Sequence, residues 1–229
     1  MPEIFDNIEQ KLLPALKRAL EESTRADFCV GYFNLRGWRQ IDSEIEKYSG
    51  GERSCCRLLV GMHRPPRDEV HNAVALGTGN PEIDRSQAKR FQRKMAEDFH
   101  RQLTLGAPTE ADQLGLQRLK RQLIERKLIV KLYTRNTLHA KLYLVHRTDR
   151  QYPLLGYLGS SNLTFAGLGY QEELNIDVID KDATNKLNRW FEERWRDRFC
   201  VDITQELIEI IETSWATEKL VPPYYVYLK

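Results

Sequence analysis

His139 and Lys141 stand two positions apart in the apolar stretch LHAKLYLVH. About twenty residues on, the small polar group Gly159-Ser160-Ser161-Asn162 closes a second apolar run. In an extended chain residues i and i+2 project to the same side, so a strand over 138–146 is expected to present the imidazole and the ammonium on one face, with Ala140 and Leu142 on the other. Two basic groups on a shared face carry a desolvation cost that a bound anion offsets. The Gly159–Asn162 group adds backbone N–H groups, a hydroxyl and an amide, donors that suit phosphoryl oxygens. Glu173, at the head of a further apolar run, can accept the Nδ1 proton of His139, fix the tautomer and leave Nε2 free to attack. Together these residues point to phosphoryl chemistry without a metal or other cofactor. His139, Lys141 and Glu173 are the candidate catalytic residues, and Lys141, Ser160 and Asn162 the candidate phosphate-binding residues.

Such a set needs a sheet to hold it. Asp6 followed by Glu9 is a capping-box signature, and Ile8, Leu12, Leu16 and Leu20 recur every fourth residue, so the spacing predicts an amphipathic helix over 6–22. ADFCVGYF (26–33) and CCRLLVGM (55–62) read as buried strands flanking a helix over 35–48, which Gly50-Gly51 ends. The stretch 64–127 is polar, is interrupted by Pro65-Pro66, GTGNP (77–81) and LGAP, and carries helical segments; it reads as a helical insertion or cap. Four strand candidates follow at 128–134, 138–146, 154–160 and 173–180, then helices at 181–198 and 202–215. The order is that of an α/β protein with a sheet covered by helices.

Composition sets the outer bounds. A chain of 229 residues with 41% apolar and 10% aromatic content can bury a full core. The 35 basic and 33 acidic residues leave a net charge of only +2, so any polyanion-binding surface has to be a local patch. No run approaches the ~18 apolar residues of a membrane span, and MPEIFDNIEQ lacks the features of a secretory leader, so the expected location is the cytoplasm. Cys29, Cys55, Cys56 and Cys200 show no metal-binding spacing and read as buried free thiols. His63, His71 and His100, with Glu97 and Asp98, also lack a metal-ligand pattern.

The order His139-x-Lys141, Gly159-Ser160-Ser161-Asn162, Glu173 resembles the HKD motif of the phospholipase D superfamily. The resemblance implies a mixed α/β sheet flanked by helices, a histidine that attacks phosphorus to form a phosphohistidine, and a lysine, serine and asparagine that hold the phosphate. It also implies a second motif histidine that protonates the leaving group. The motif aspartate, five residues after the lysine, is replaced here by His146, with Asp149 the nearest carboxylate along the chain. Only one motif copy is present, as in the dimeric nuclease branch that this chain resembles, which implies a homodimer. The stretch FDNIEQKLLPALKRALEESTRADFCVGYFNLRGW is similar to the start of phospholipase D-like domains that precede helicase modules. PPYYVYLK likewise resembles the linker that continues into the helicase. On that reading residues 1–215 are the phospholipase D-like domain, with the insertion at about 64–127, and 216–229 are a linker. The chain carries no phosphate-binding loop of the NTPase type.

Two function classes follow. One is a metal-independent phosphodiesterase cutting DNA, or RNA, as a dimer attached to a helicase or restriction partner. The other is a phosphate-binding module that grips nucleic acid without turnover. Basic segments at 85–94 and 118–127 suit both.

Overall fold

The computed structural model describes residues 2–61, 81–104 and 109–214, with side chains excepted at 81–88 and 102. Among these residues the strands are β1 (Ile4–Phe5), β2 (Ser23–Val30), β3 (Cys56–Val60), β4 (Leu128–Tyr133), β5 (Leu142–Arg147), β6 (Leu154–Gly159), β7 (Asn175–Val178) and β8 (Cys200–Asp202). They form one sheet in the order β1-β7-β6-β5-β2-β3-β4-β8. β2, β3 and β4 are parallel, and every other pairing is antiparallel. The parallel strands are near-continuous apolar runs, as expected for strands covered on both faces.

Alternation along the strands divides the core in two. Phe28, Val30, Leu58, Val60, Val130, Leu132, Tyr143 and Val145 face the larger layer of helices. That layer includes α1 (Leu12–Glu21), α2 (Leu35–Trp38), α3 (Asp42–Ile45), α4 (Pro81–Leu103), α5 (Glu110–Ile124) and α8 (Thr204–Glu212). Cys29, Leu59, Ile129, Leu142 and Leu144 face the other way, onto Phe191 and Trp195 of α7 (Lys181–Trp195). A one-turn helix, α6 (Phe165–Gly169), follows the Gly159–Asn162 loop.

The expected α/β architecture and its central strands are present, and the differences are shifted element ends, one divided helix and two short edge strands. The helix expected over 6–22 begins only at Leu12. Asp6 does cap, but it caps a separate turn, its Oδ1 accepting from the N–H groups of Ile8, Glu9 and Gln10. Asn7 then takes φ 63° and its Oδ1 accepts from Leu12 N–H, so the chain turns before α1 starts. Ile8 is left exposed while Leu12, Leu16 and Leu20 are buried. The single helix expected over 35–48 is two short ones, α2 and α3. β1 and β8 escaped the sequence reading because two- and three-residue edge strands leave no periodicity to count. The helical segments expected in 64–127 are α4 and α5, and they are part of the main core: Met95, Phe99, Leu103, Leu116, Leu119 and Leu123 are all buried in it. GTGN (77–80), His63, His71 and the expected linker at 216–229 lie outside the described residues.

Candidate active site

The strand expected over 138–146 starts at Leu142, so His139 and Lys141 sit in the extended lead-in to β5 and not within the ladder. That lead-in is tied at both ends: Leu138 N–H donates to Gly61 O at 3.0 Å, and Gly159 N–H donates to Lys141 O at 3.2 Å. Gly61 follows β3, and a Cβ there would lie 2.2 Å from Leu138 O. Only glycine lets the two segments approach this closely. The pair is therefore held beyond the C-terminal ends of β2 and β3, beside the end of β6.

His139 is exposed, whereas Lys141 is only 3% exposed. The Lys141 ammonium donates to His139 O at 2.9 Å and lies 2.9 Å from both ring nitrogens of the imidazole. Burial lowers the pKa of the Lys141 ammonium from the ordinary lysine value, while the charges of Glu173 and Cys29 act in the opposite sense. Glu173, half-buried just ahead of β7, thus shares the electrostatic environment of Lys141, and it acts on Tyr143 as well. No hydrogen bond joins the Glu173 carboxylate to the His139 ring among the described residues.

The Gly159–Asn162 loop wraps around the head of β7. A Cβ at Gly159 would lie 2.2 Å from Leu174 O and 2.4 Å from Asn175 Oδ1, which explains the glycine. Ser160, exposed, is held by Leu174: its Oγ accepts from Leu174 N–H at 2.9 Å, and its N–H donates to Leu174 O at 3.1 Å. Asn162 Oδ1 accepts from Tyr32 N–H at 2.9 Å, which orients the amide and leaves its NH2 group as the donor.

Two positioning residues escaped the sequence reading. Asn175 donates from Nδ2 to Ser161 Oγ at 2.8 Å and accepts from Ser161 N–H at 3.3 Å. Tyr143, fully buried, donates to Ser161 O at 2.9 Å, and burial drives its phenol pKa well above the usual value. Both lie two positions beyond a predicted site residue, Asn175 after Glu173 and Tyr143 after Lys141. The alternation that singled out the site residues could have found these two as well.

At the place of the motif aspartate stands His146, and its partner is a carboxylate from the neighbouring strand. His146 Nε2 lies 2.6 Å from Asp27 Oδ2, Arg57 Nε donates to Asp27 Oδ1 at 2.6 Å, and Arg25 donates to Asp27 Oδ2 at 2.8 Å. Arg57 also reaches Glu192 on α7, and its guanidinium stacks over Phe191 and Trp195. Burial alone would raise the Asp27 carboxyl, but His146 and Arg57 outweigh it and hold the group well below the ordinary carboxylate range. The four cysteines are free thiols, as expected: Cys29, Cys55 and Cys56 are buried and Cys200 half-buried, and burial pushes Cys29 up to about 12.

A mixed sheet with a histidine, a buried lysine and a glycine-serine-asparagine loop meeting at one end of its strands defines a phospholipase D-like domain. The chain belongs to that family: the model described as "Cardiolipin synthase, PLD-like domain" matches residues 16–195. A search of curated protein sequences found no match. Among solved structures the chain is similar to NucT from Helicobacter pylori, at 11% identity over 88% of this chain and 98% of that one, with a TM-score of 0.49. It is also similar to Nuc from Salmonella typhimurium, a phospholipase D family member, at 8% identity, 88% and 97% coverage and a TM-score of 0.48. Phosphatidylserine synthase from Haemophilus influenzae Rd KW20 aligns at 14% identity over 89% of this chain and 39% of that one, with a TM-score of 0.49. No helix among the described residues is long and apolar enough to cross a membrane.

Proposed function

We propose that the domain hydrolyses phosphodiesters of DNA without a metal, through a phosphohistidine at His139. One observation carries this reading: an exposed imidazole stands against a buried ammonium, beside a loop of donors held in place by Asn175 and Tyr143. Nε2 of His139 attacks phosphorus, the bond from phosphorus to the leaving oxygen breaks, and that oxygen takes a proton from an acid. Water, giving its proton to the group that acted as the acid, then attacks phosphorus, the bond to nitrogen breaks, and the imidazole and the acid are both regenerated. Lys141, Ser160 and Asn162 hold the non-bridging oxygens, whose charge grows toward the transition state. An ammonium donating to a ring nitrogen occupies the lone pair that must attack, so an incoming phosphate that takes over the ammonium frees the nucleophile. On this reading the Glu173 carboxylate, which acts electrostatically on Lys141, comes to orient the ring and stabilise the imidazolium once a phosphate draws the ammonium away.

The leaving oxygen needs an acid, and one motif histidine cannot serve both roles at once. A homodimer sharing its sites across a two-fold axis supplies the second histidine. Attachment to a helicase module fits the same reading, with the domain gripping and cutting the strand that the motor moves. The cytoplasm is the matching location.

The test is cleavage of labelled oligonucleotides in EDTA. Wild type is expected to cut, and His139→Ala to lose about a thousandfold or more of the rate. Cleavage that requires added divalent metal would sink the mechanism. The absent bond between Glu173 and His139 favours a second reading, a phosphate-binding module without turnover. Equal DNA binding by wild type and His139→Ala, with neither cutting, would establish it.

A further inference from the structure

Beside the candidate phosphate site the protein leaves aromatic rings in water. Phe165 and Tyr170 stack at 4.3 Å between centroids with 19° between planes, yet Phe165 is 39% and Tyr170 72% exposed. Tyr32, 48% exposed, carries the N–H that holds Asn162 Oδ1, and the Lys11 ammonium stands 5.9 Å from the Tyr170 ring centre.

The turn that presents these rings is firmly anchored. Thr164 caps α6, its Oγ1 accepting from Gly167 N–H at 3.0 Å, and Thr164 N–H donates to Asn162 O at 2.8 Å. From the other side Asn7, in its left-handed conformation, donates Nδ2 to Gly167 O and Gln171 O, both at 3.1 Å. Several hydrogen bonds thus fix the turn that carries Tyr170, which is mostly in water, and Phe165, whose outer part is exposed. Rigid exposed aromatics with a cation alongside suit a flat π-face linked to a phosphate. Phe165 is three residues from Asn162, so their Cα atoms lie within about 11 Å of each other, and the 4.3 Å stack carries Tyr170 with Phe165.

We propose that Phe165 and Tyr170, flanked by Tyr32 and Lys11, form a ledge on which unpaired nucleobases stack, so that the substrate is single-stranded nucleic acid with its scissile phosphate at His139. The proposal rests on the phosphodiesterase reading and adds the strandedness of its substrate. A duplex keeps its base faces stacked on one another and has none to give the ledge, whereas every base of a single strand offers a π-face regardless of sequence.

The experiment measures binding in the His139→Ala background in EDTA, so that no turnover intrudes. The probes are a labelled thymidine oligonucleotide, an oligonucleotide of equal length made wholly of abasic residues, and a duplex. The parent is expected to bind the thymidine strand about 5- to 150-fold tighter than the abasic strand, the range that ~1–3 kcal/mol of stacking for one base gives. In Phe165→Ala/Tyr170→Ala that difference is expected to vanish, while duplex and abasic affinities stay within twofold. Phe165→Trp is expected to keep it. Both rings are exposed, so an unchanged melting temperature is expected to confirm that the double variant is folded. If the double variant keeps the thymidine preference, the ledge is overturned and the phosphate site stands. The ledge alone also fails if oligonucleotide affinities do not change but the variant loses self-association, since the rings then serve a protein contact. Failure of the parent to bind any probe would overturn both the ledge and the reading beneath it.

Discussion

His146 shows how a single position can depart from a motif and keep its electrostatics. A carboxylate on β5 would have faced basic partners. Here a basic ring stands on β5, and the carboxylate it meets is Asp27 on β2. Asp27 is fully buried beneath three basic side chains, so removing its charge breaks a buried ion pair and leaves the Arg57 guanidinium with Glu192 as its carboxylate partner. Asp27→Asn is expected to cost about 3–5 kcal/mol of stability, read as a drop in thermal midpoint. The sign of the acid dependence follows from the depressed carboxyl. Its contribution is present above the ordinary value of 3.8 and is lost as the pH falls from there through the lower folded value. Wild type is therefore expected to lose stability below about pH 4, and Asp27→Asn to lose less over the same range. Parallel acid profiles in urea titrations would count against this assignment.

At the scale of elements, the site is a meeting of ends: the lead-in to β5, the exit of β6 and the entry of β7. Backbone hydrogen bonds tie the lead-in to Gly61 and Gly159, and side chains fasten the loop itself, Asn175 holding Ser161 through both its N–H and its Oγ. Asn175→Ala leaves the Ser161 N–H buried without a partner, at an expected cost of about 1–3 kcal/mol. The Gly159–Asn162 loop is then expected to loosen, lowering kcat for oligonucleotide cleavage at least tenfold while Asn175→Asp retains more of it. A stability loss with kcat unchanged would show that the loop holds its shape without the amide. Helix ends carried the same lesson for sequence reading. The capping signature at Asp6 was legible, but whether it starts a helix or closes a separate turn depends on Asn7, whose side chain is engaged by residues some 160 positions away.

For the whole molecule, the matter to settle is the dimer. Ile4, Ile176 and Leu158 are register neighbours across β1, β7 and β6, and all three are exposed, as is Leu174 next to the Ser160 loop. An apolar row beside the Gly159–Asn162 loop is a surface that a second copy can cover, as the proposed shared site requires. Sedimentation at low micromolar concentration is expected to give a dimer, and Ile176→Glu a monomer with cleavage reduced at least tenfold. A wild-type monomer with full activity would rule out the shared site.

The sequence by itself determined the residue types and their order. His139, Lys141, the glycine-serine-asparagine group and Glu173 were legible because chemistry restricts what can stand at each place, and the central strands because burial on both faces demands continuous apolar runs. Only the tertiary structure decided which of these groups touch. It set Lys141 against His139, fastened Ser161 to Asn175 and Tyr143, and brought Asp27 from another strand against His146. Strand order and register bring residues more than a hundred positions apart into contact, and local periodicity holds no record of that pairing.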